Sequence, residues 1–436
     1  MSQSRTLSDR PSTLARVVEA LRELPLSELD IIVVAEQITS GFLLLDQKVA
    51  NPDSSFFRFH DKVMAVQTHF QEHGLTLKDY LDAAVQRLSL FYQAPDPVIR
   101  RIEDVVVHFR DHGLTLKEYL RAAVKYPQLF CHLPAGVIRH IEDVVDHFRD
   151  HGLTTKDYVR AAIKQPQLFC QMPVTIRTNV EAVAKHFSKH GLTMKEYLHA
   201  AVRQPPLFVQ APATIIANIE CVVRHFAEDG LPLREYLRAA AKYPSLFYQS
   251  PATINGNVEG VVAHFQLNGL TIQDYLRVVI RQPQLFFQAP ATVIANIEGV
   301  ALHFAEHGLA LADYLRAAVK QTPLFCQAPA TIIRHVKLIA DMQRQELVTF
   351  PGQKEASENQ PLKPMFAFLV KNPLYLCLAD DNLSLRVTYA HLTGDRPAGT
   401  ELLTRKRYKI EKDLARALEK TSPAGPPVND LPPTKA

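Results

Sequence analysis

Between residues 116 and 124 the apolar side chains Leu116, Tyr119, Leu120, Ala123 and Val124 recur at i, i+3, i+4, i+7 and i+8. That spacing places them on one face of a helix. Thr115 and Glu118 form a Thr-x-x-Glu capping box, which predicts where the helix begins. Pro127 stops it, because proline lacks the amide donor and disfavours α geometry in the residue before it. A short apolar link, Leu129-Phe130, predicts a 3₁₀ turn. Pro134 then opens a second helix carrying Val137, Ile141, Val144, Val145 and Phe148 on one face, and Gly152 predicts its left-handed C-cap.

The unit repeats without a slip. His-Phe occurs at His69-Phe70, His108-Phe109, His147-Phe148, His186-Phe187, His225-Phe226, His264-Phe265 and His303-Phe304, each 39 residues after the last. Four residues after each Phe stands a glycine, from Gly74 to Gly308. Neither helix of a unit can bury its face alone, so the copies must stack. The expected fold is all-α: an α-solenoid (superhelix) of seven 39-residue two-helix repeats, residues 69–341, with helical caps.

The flanks read differently. Residues 1–68 predict an irregular N-terminal cap out of register, with helices near 13–23, 27–47 and 58–68. Residues 342–400 predict a linker, a loop at 351–363, and a degenerate copy in which Lys371 to Cys377 matches Lys125 to Cys131. Residues 401–436 predict a basic helix to about 420, with Arg405, Lys406, Arg407, Lys409 and Lys412, then a disordered Pro-rich tail.

Composition adds bounds. The 436 residues are 47% hydrophobic and 22% charged with a net charge of +4, which excludes a wholly disordered or collagen-like chain. The longest apolar run, Phe42 to Leu45, is far short of the roughly 20 residues that span a bilayer. Five scattered cysteines, none in a CxxC pair, argue against a disulfide framework or structural zinc and suit a reducing intracellular compartment. Arg5, Arg10 and Arg16 among Ser and Thr weakly suggest an organelle transit peptide, interrupted by Asp9. Organelle import, or export into a host cell, therefore stays open.

Charge becomes informative only when sorted by slot. The first helix leaves three outward positions, and 16 of the 21 slots over seven copies are Lys or Arg. The first slot holds Lys78, Lys117, Lys156, Lys195 and Arg234, then Gln273 and Ala312. The second holds Arg121, Arg160, Arg238, Arg277 and Arg316, and the third Lys125, Lys164, Arg203, Lys242, Arg281 and Lys320. The neighbouring acids, such as Glu118 and Asp157, have a local role in the capping box. On the second helices a row of Glu runs from Glu103 to Glu298 and is broken by Lys337. The basic rows are read as a solvated helical face paired with that acidic row, or as a ribbon for a polyanion. The recurrence of Arg, which suits bidentate phosphate contact, favours the ribbon. Its candidate residues are Lys117, Arg121, Lys125, Lys156, Arg160, Lys164, Arg203, Arg238, Lys242, Arg277, Arg281, Arg316 and Lys320.

The motif Gly113-Leu114-Thr115, then Pro127-x-Leu129-Phe130, then a helix from Val137 to Phe148, resembles the repeat of the mitochondrial transcription termination factor (mTERF) family over 69–341. The resemblance implies an α-solenoid that binds nucleic acid along a basic groove. This chain departs from that family in its more uniform copies and longer unit, so no base-contacting residue is carried over.

Two slots vary as a one-unit-per-nucleotide code would require. One precedes the link proline: Arg87, Tyr126, Gln165, Gln204, Tyr243, Gln282 and Gln321. The other lies on the second helix: Arg101, His140, Asn179, Asn218, Asn257, Asn296 and His335. Neutral drift explains them equally well. His pairs such as His108/His112 have metal-ligand spacing, but no third ligand travels with them. They are read as structural, capping carbonyls at a helix end. The Gln row from Gln93 to Gln327 is read as bonding backbone at the interhelix turn, and the Phe row from Phe91 to Phe325 as core. No catalytic motif appears, so no enzyme, cofactor or metal is expected.

The expected function is non-enzymatic nucleic-acid binding, DNA or RNA, through phosphates, by a monomer without a membrane span. The alternative is a protein-interaction scaffold, such as a secreted bacterial effector. Arg rows lining an open groove favour the first, and Arg rows paired with the Glu103 to Glu298 row favour the second.

Overall fold

The computed structural model describes residues 59–91, 93–355 and 360–421, with Val18, Arg22, Ile31, Ile32 and Ala35 before them. Apart from those five positions, the helices expected near 13–23 and 27–47 lie outside the described residues, as do the Arg-rich N-terminus and the tail after 421. The fold is an all-α solenoid, and no strand occurs among the described residues. Contacts divide the chain into two compact units, Met1–Ile219 with Ala240–Tyr248, and Glu220–Ala239 with Gln249–Ala436.

The first helices of the seven copies are Leu77–Gln86, Leu116–Lys125, Thr155–Lys164, Met194–Arg203, Leu233–Lys242, Ile272–Arg281 and Leu311–Lys320. The second helices are Pro95–Phe109, Pro134–Phe148, Pro173–Phe187, Pro212–His225, Pro251–Phe265, Pro290–His303 and Pro329–Arg344. Between them each copy makes a short 3₁₀ link, such as Pro127–Phe130. Within each unit first helices pack on first helices of neighbouring copies and second on second, giving two helical layers.

Local chemistry accounts for the boundaries. Thr76, Thr115 and Thr193 close full capping boxes with Asp79, Glu118 and Glu196. Copies five and seven carry Pro232 and Ala310 where the others have threonine, and their first helices form without the box. At the far end the second helix tightens through one 3₁₀ turn. Gly152 then adopts φ +88°, Gly152 N donates to Arg149 O at 2.9 Å, and Leu153 N donates to Phe148 O at 3.3 Å. This 6→1 and 5→2 pair is the Schellman arrangement, and it seats the buried Leu153 beyond the buried Phe148.

The core is built between copies. Six of the seven buried tyrosines of the first helices, all but Tyr314, meet edge to face the link phenylalanine of the next copy, 50 residues on. Tyr80–Phe130, Tyr119–Phe169, Tyr158–Phe208 and Tyr197–Phe247 do so in the first unit, and Tyr236–Phe286 and Tyr275–Phe325 in the second. Their ring centroids lie 5.2–5.7 Å apart, within the favoured range for aromatic pairs. Burial raises the phenol pKa along the whole row, so these tyrosines stay neutral.

Both flanks join the repeat pattern more closely than the sequence suggests. The helix expected at 58–68 out of register runs Phe59–Phe70. It is in register, with Val63, Val66 and Phe70 buried as Ile102, Val105 and Phe109 are 39 residues later, and it packs as a second helix against Pro95–Phe109. After copy seven, Lys363–Lys371, a 3₁₀ turn at Pro373–Cys377 and Asp380–Thr393 take the places of first helix, link and second helix. The basic C-terminal segment is two helices, Glu401–Thr404 and Arg407–Thr421. Arg405 between them is not a free cation: it binds Asp395 at 3.1 Å, Glu401 at 3.0 Å and the Tyr389 hydroxyl at 2.9 Å.

Gly152→Ala should cost about 1–2 kcal/mol, because a Cβ is penalised in the left-handed region. Gly136→Ala should instead stabilise by about 0.5–1 kcal/mol, since Gly136 is helical and a Cβ there meets nothing within 4 Å. Urea melts of the two variants should move in opposite directions.

Candidate nucleic-acid interface

All thirteen basic residues singled out by the sequence are exposed. They lie on the first-helix layer, and the structure separates their three rows by what each already touches.

The first slot leans on the previous copy. The Cε atoms of Lys117 and Lys195 lie 4.0 and 3.8 Å from where a Cβ on Gly74 and Gly152 would sit. Gln273 in the same slot donates to Asp229 at 3.0 Å. This turn ends a second helix, where the partial negative charge of the helix favours a cation. The slot therefore has a stacking role as well as a charge.

The second slot is paired, but not with the acidic row that the sequence reading named. Arg160, Arg238 and Arg277 reach Asp157, Glu235 and Asp274, three residues earlier on the same helix, at 3.8, 2.7 and 2.9 Å. Arg316 does the same with Asp313. Thus Asp157 and Asp274 each hold the threonine cap and face an arginine as well. Arg121 makes no ion pair with a described residue. These guanidinium groups are 58–71% exposed, and such pairs contribute only about 0–1 kcal/mol.

The third slot is open. Lys125, Lys164, Arg203, Lys242, Arg281 and Lys320 make no ion pair among the described residues, and Lys242 Nζ lies 5.8 Å from the Tyr243 ring centroid. Two residues outside the thirteen extend the rows, Lys371, already matched to Lys125 in sequence, and Lys363. Aligning Asn372-Pro373 with Tyr126-Pro127 absorbs a 12-residue insertion and places Lys363 and Lys371 in the first and third slots of the degenerate copy.

Neighbouring first helices leave grooves between these rows. In the first unit Asp79, Lys117, Leu120, Arg121, Val124 and Lys125 line a depression of about 390 Å³. In the second, Arg316, Lys320, Lys363, Phe366, Val370 and Lys371 line one of about 460 Å³. Each is lined by apolar and cationic side chains together with one carboxylate, Asp79 in the first and Asp313 in the second.

The Glu row of the second helices has another partner. His69, His108 and His147 donate through Nε2 to Glu103, Glu142 and Glu181 of the next copy, and His225 and His264 to Glu259 and Glu298, at 2.5–2.9 Å. These histidines bind carboxylates across the copy boundary, not the helix-end carbonyls expected of them.

The varying slot of the second helix also faces inward. Asn179, Asn257 and Asn296 donate to the carbonyls of Phe208, Phe286 and Phe325 at 3.3, 2.9 and 2.9 Å, and Asn218 donates to Tyr248 O at 3.4 Å. His335 takes the same part, with Nδ1 2.9 Å from Leu376 O and Nε2 3.1 Å from Asp380. In the degenerate copy the buried Arg386 donates to Arg405 O at 3.0 Å. In the other varying slot Gln204 donates to the Tyr248 hydroxyl and Gln282 and Gln321 hydrogen-bond the thiols of Cys326 and Cys377, whereas Arg87 is exposed. Among the glutamines expected to bond backbone, Gln93 instead meets Cys131 Sγ at 3.2 Å and Gln171 accepts from Gln167 at 3.1 Å. The Phe row is fully buried, as expected of core.

No model of a known protein family matches the chain, and no curated protein matches it either.

Two measurements follow. Asn296→Ala removes the donor to the buried Phe325 carbonyl and should cost about 1–3 kcal/mol, read as a lowered thermal midpoint. Burial pushes the Cys170 thiol up to about 12 and Cys377 to about 11, so both remain protonated at pH 8. Iodoacetamide at pH 8 should therefore modify the exposed Cys221 first and these two last, as read by peptide mass spectrometry.

Proposed function

We propose that this chain is a non-enzymatic helical-repeat protein that binds nucleic acid through the phosphate backbone. The observation that carries the proposal is the third slot, where six copies present Lys125, Lys164, Arg203, Lys242, Arg281 and Lys320 to solvent without an acidic partner among the described residues. The Arg row adds to it, because exposed i,i+3 pairs are weak enough to exchange a carboxylate for a phosphate. Stacked helices lie about 8–10 Å apart, so successive copies offer cations at a spacing comparable to two or three base-pair steps. The mTERF-like unit supports the same reading.

A protein-interaction scaffold is the second reading. It is favoured by Leu133, Met172 and Val174, which are 54–67% exposed where two neighbouring second helices begin.

Fluorescence anisotropy with labelled DNA and RNA at two salt concentrations tests the proposal. Each phosphate contact removed should lower the slope of log K against log salt by about 0.7–0.9. Replacing the six third-slot residues by Gln should therefore flatten the slope and weaken binding at least about tenfold. Replacing Arg121, Arg160, Arg238, Arg277 and Arg316 should cost less. No binding at low salt, or binding indifferent to both variants, would send the search to protein partners.

A further inference from the structure

We infer that the interface takes double-stranded nucleic acid without regard to base sequence. This rests on the nucleic-acid reading above and asks which features of the polymer the exposed side chains are able to read.

Base readout needs side chains with free donor and acceptor edges, above all Asn, Gln and Arg. The Asn residues that vary from copy to copy are held by the link carbonyls of the next copy, as Asn257 is by Phe286 O at 2.9 Å. Gln204 is held by the Tyr248 hydroxyl. Arginine remains: the second-slot row is the same in five of seven copies, while Arg203 and Arg281 merely exchange with lysine in the third slot and Arg87 and Arg101 occur in copy one alone. A row that does not change between copies cannot distinguish one mixed sequence from another.

Single strands are held by stacking their bases on aromatic faces. Here the Tyr and Phe rows of the repeat are buried. Tyr126 and Tyr243, in the slot before the link proline, are half-buried and belong to copies two and five alone, so no platform recurs in step with the repeat. The groups that do recur outward are cations. Cations on phosphates position a polymer and carry no sequence information, and a duplex presents its phosphates at regular intervals without any base being held.

The test uses the full chain and labelled duplexes of about 20 base pairs: a mixed sequence, its shuffled version and a G-run in DNA, the mixed duplex in RNA, and its single strands. The expected result is affinities within about threefold across the duplex sequences, against the 10³-fold or more of a sequence-specific binder. The single strands should bind at least about tenfold more weakly. Asn257→Ala with Asn296→Ala should lower the melting temperature and leave the sequence preference unchanged. A preference above about tenfold for one duplex sequence, the G-run included, overturns the inference while nucleic-acid binding stands. Tighter binding of single strands does the same. Binding to none of the probes overturns both readings.

Discussion

Everything in this fold follows from one dependence: a copy's core is completed by the copy after it. Tyr119 is fully buried because Phe169 covers its ring from the next link, and Tyr275 because Phe325 does. An aromatic side chain buries roughly 150–250 Å², so a copy whose neighbour is missing exposes its largest apolar group. The same boundary is crossed by a second interaction of different character, the Asn-to-carbonyl bond, and by a third at the surface, the His–Glu pair. Apolar contact supplies most of the driving force. The polar contacts set the register, because a donor must meet one particular carbonyl.

How much of this was legible depends on how local the cause is. The capping boxes, the link prolines and the C-cap glycines act within four or five residues, so the helix ends could be read from sequence and the structure places them there. The 39-residue period likewise announced stacking. The role of Asn296 was not legible, because its partner lies 29 residues away and is a backbone carbonyl, which has no identity in a sequence. The His–Glu pairs, 34 residues apart, are side chain to side chain and would have been readable had the helical faces been superposed in register. The pairing of Arg277 with Asp274 was legible at i,i+3. A carboxylate with two oxygens serves both the cap and the pair: Asp274 takes the Thr271 hydroxyl on one oxygen and Arg277 on the other.

The division of the basic rows shows why residue counts are a poor guide to a binding surface. Sixteen basic slots look alike in the sequence, but their surroundings differ. First-slot lysines lie over the negative end of a preceding helix, and second-slot arginines sit beside a carboxylate. The third slot ends the first helix, where a cation also gains about 0.3–1 kcal/mol from the helix dipole. That gain explains why a basic residue is tolerated there. It does not distinguish Lys or Arg from His, and the same gain is taken at the end of the second helices by His108 with Arg110 and by His147 with Arg149.

The pattern of variation is the stronger argument. At the Asn179 and Gln204 positions, where copies differ, the side chains point into the boundary with the next copy, so those differences are answerable to a neighbour, while exposed Asp82 and His199 differ without one among the described residues. Where copies agree and nothing in the fold demands it, the third slot holds Lys or Arg in six copies out of seven and again at Lys371. A solvated face needs polar residues of either sign, and mixed signs would repel less along the row. Like charges at about 8–10 Å intervals disfavour each other modestly and do nothing for packing. A row that accepts that cost in copy after copy is not required by the packing of the solenoid, and it is on this row that the proposed phosphate contact rests.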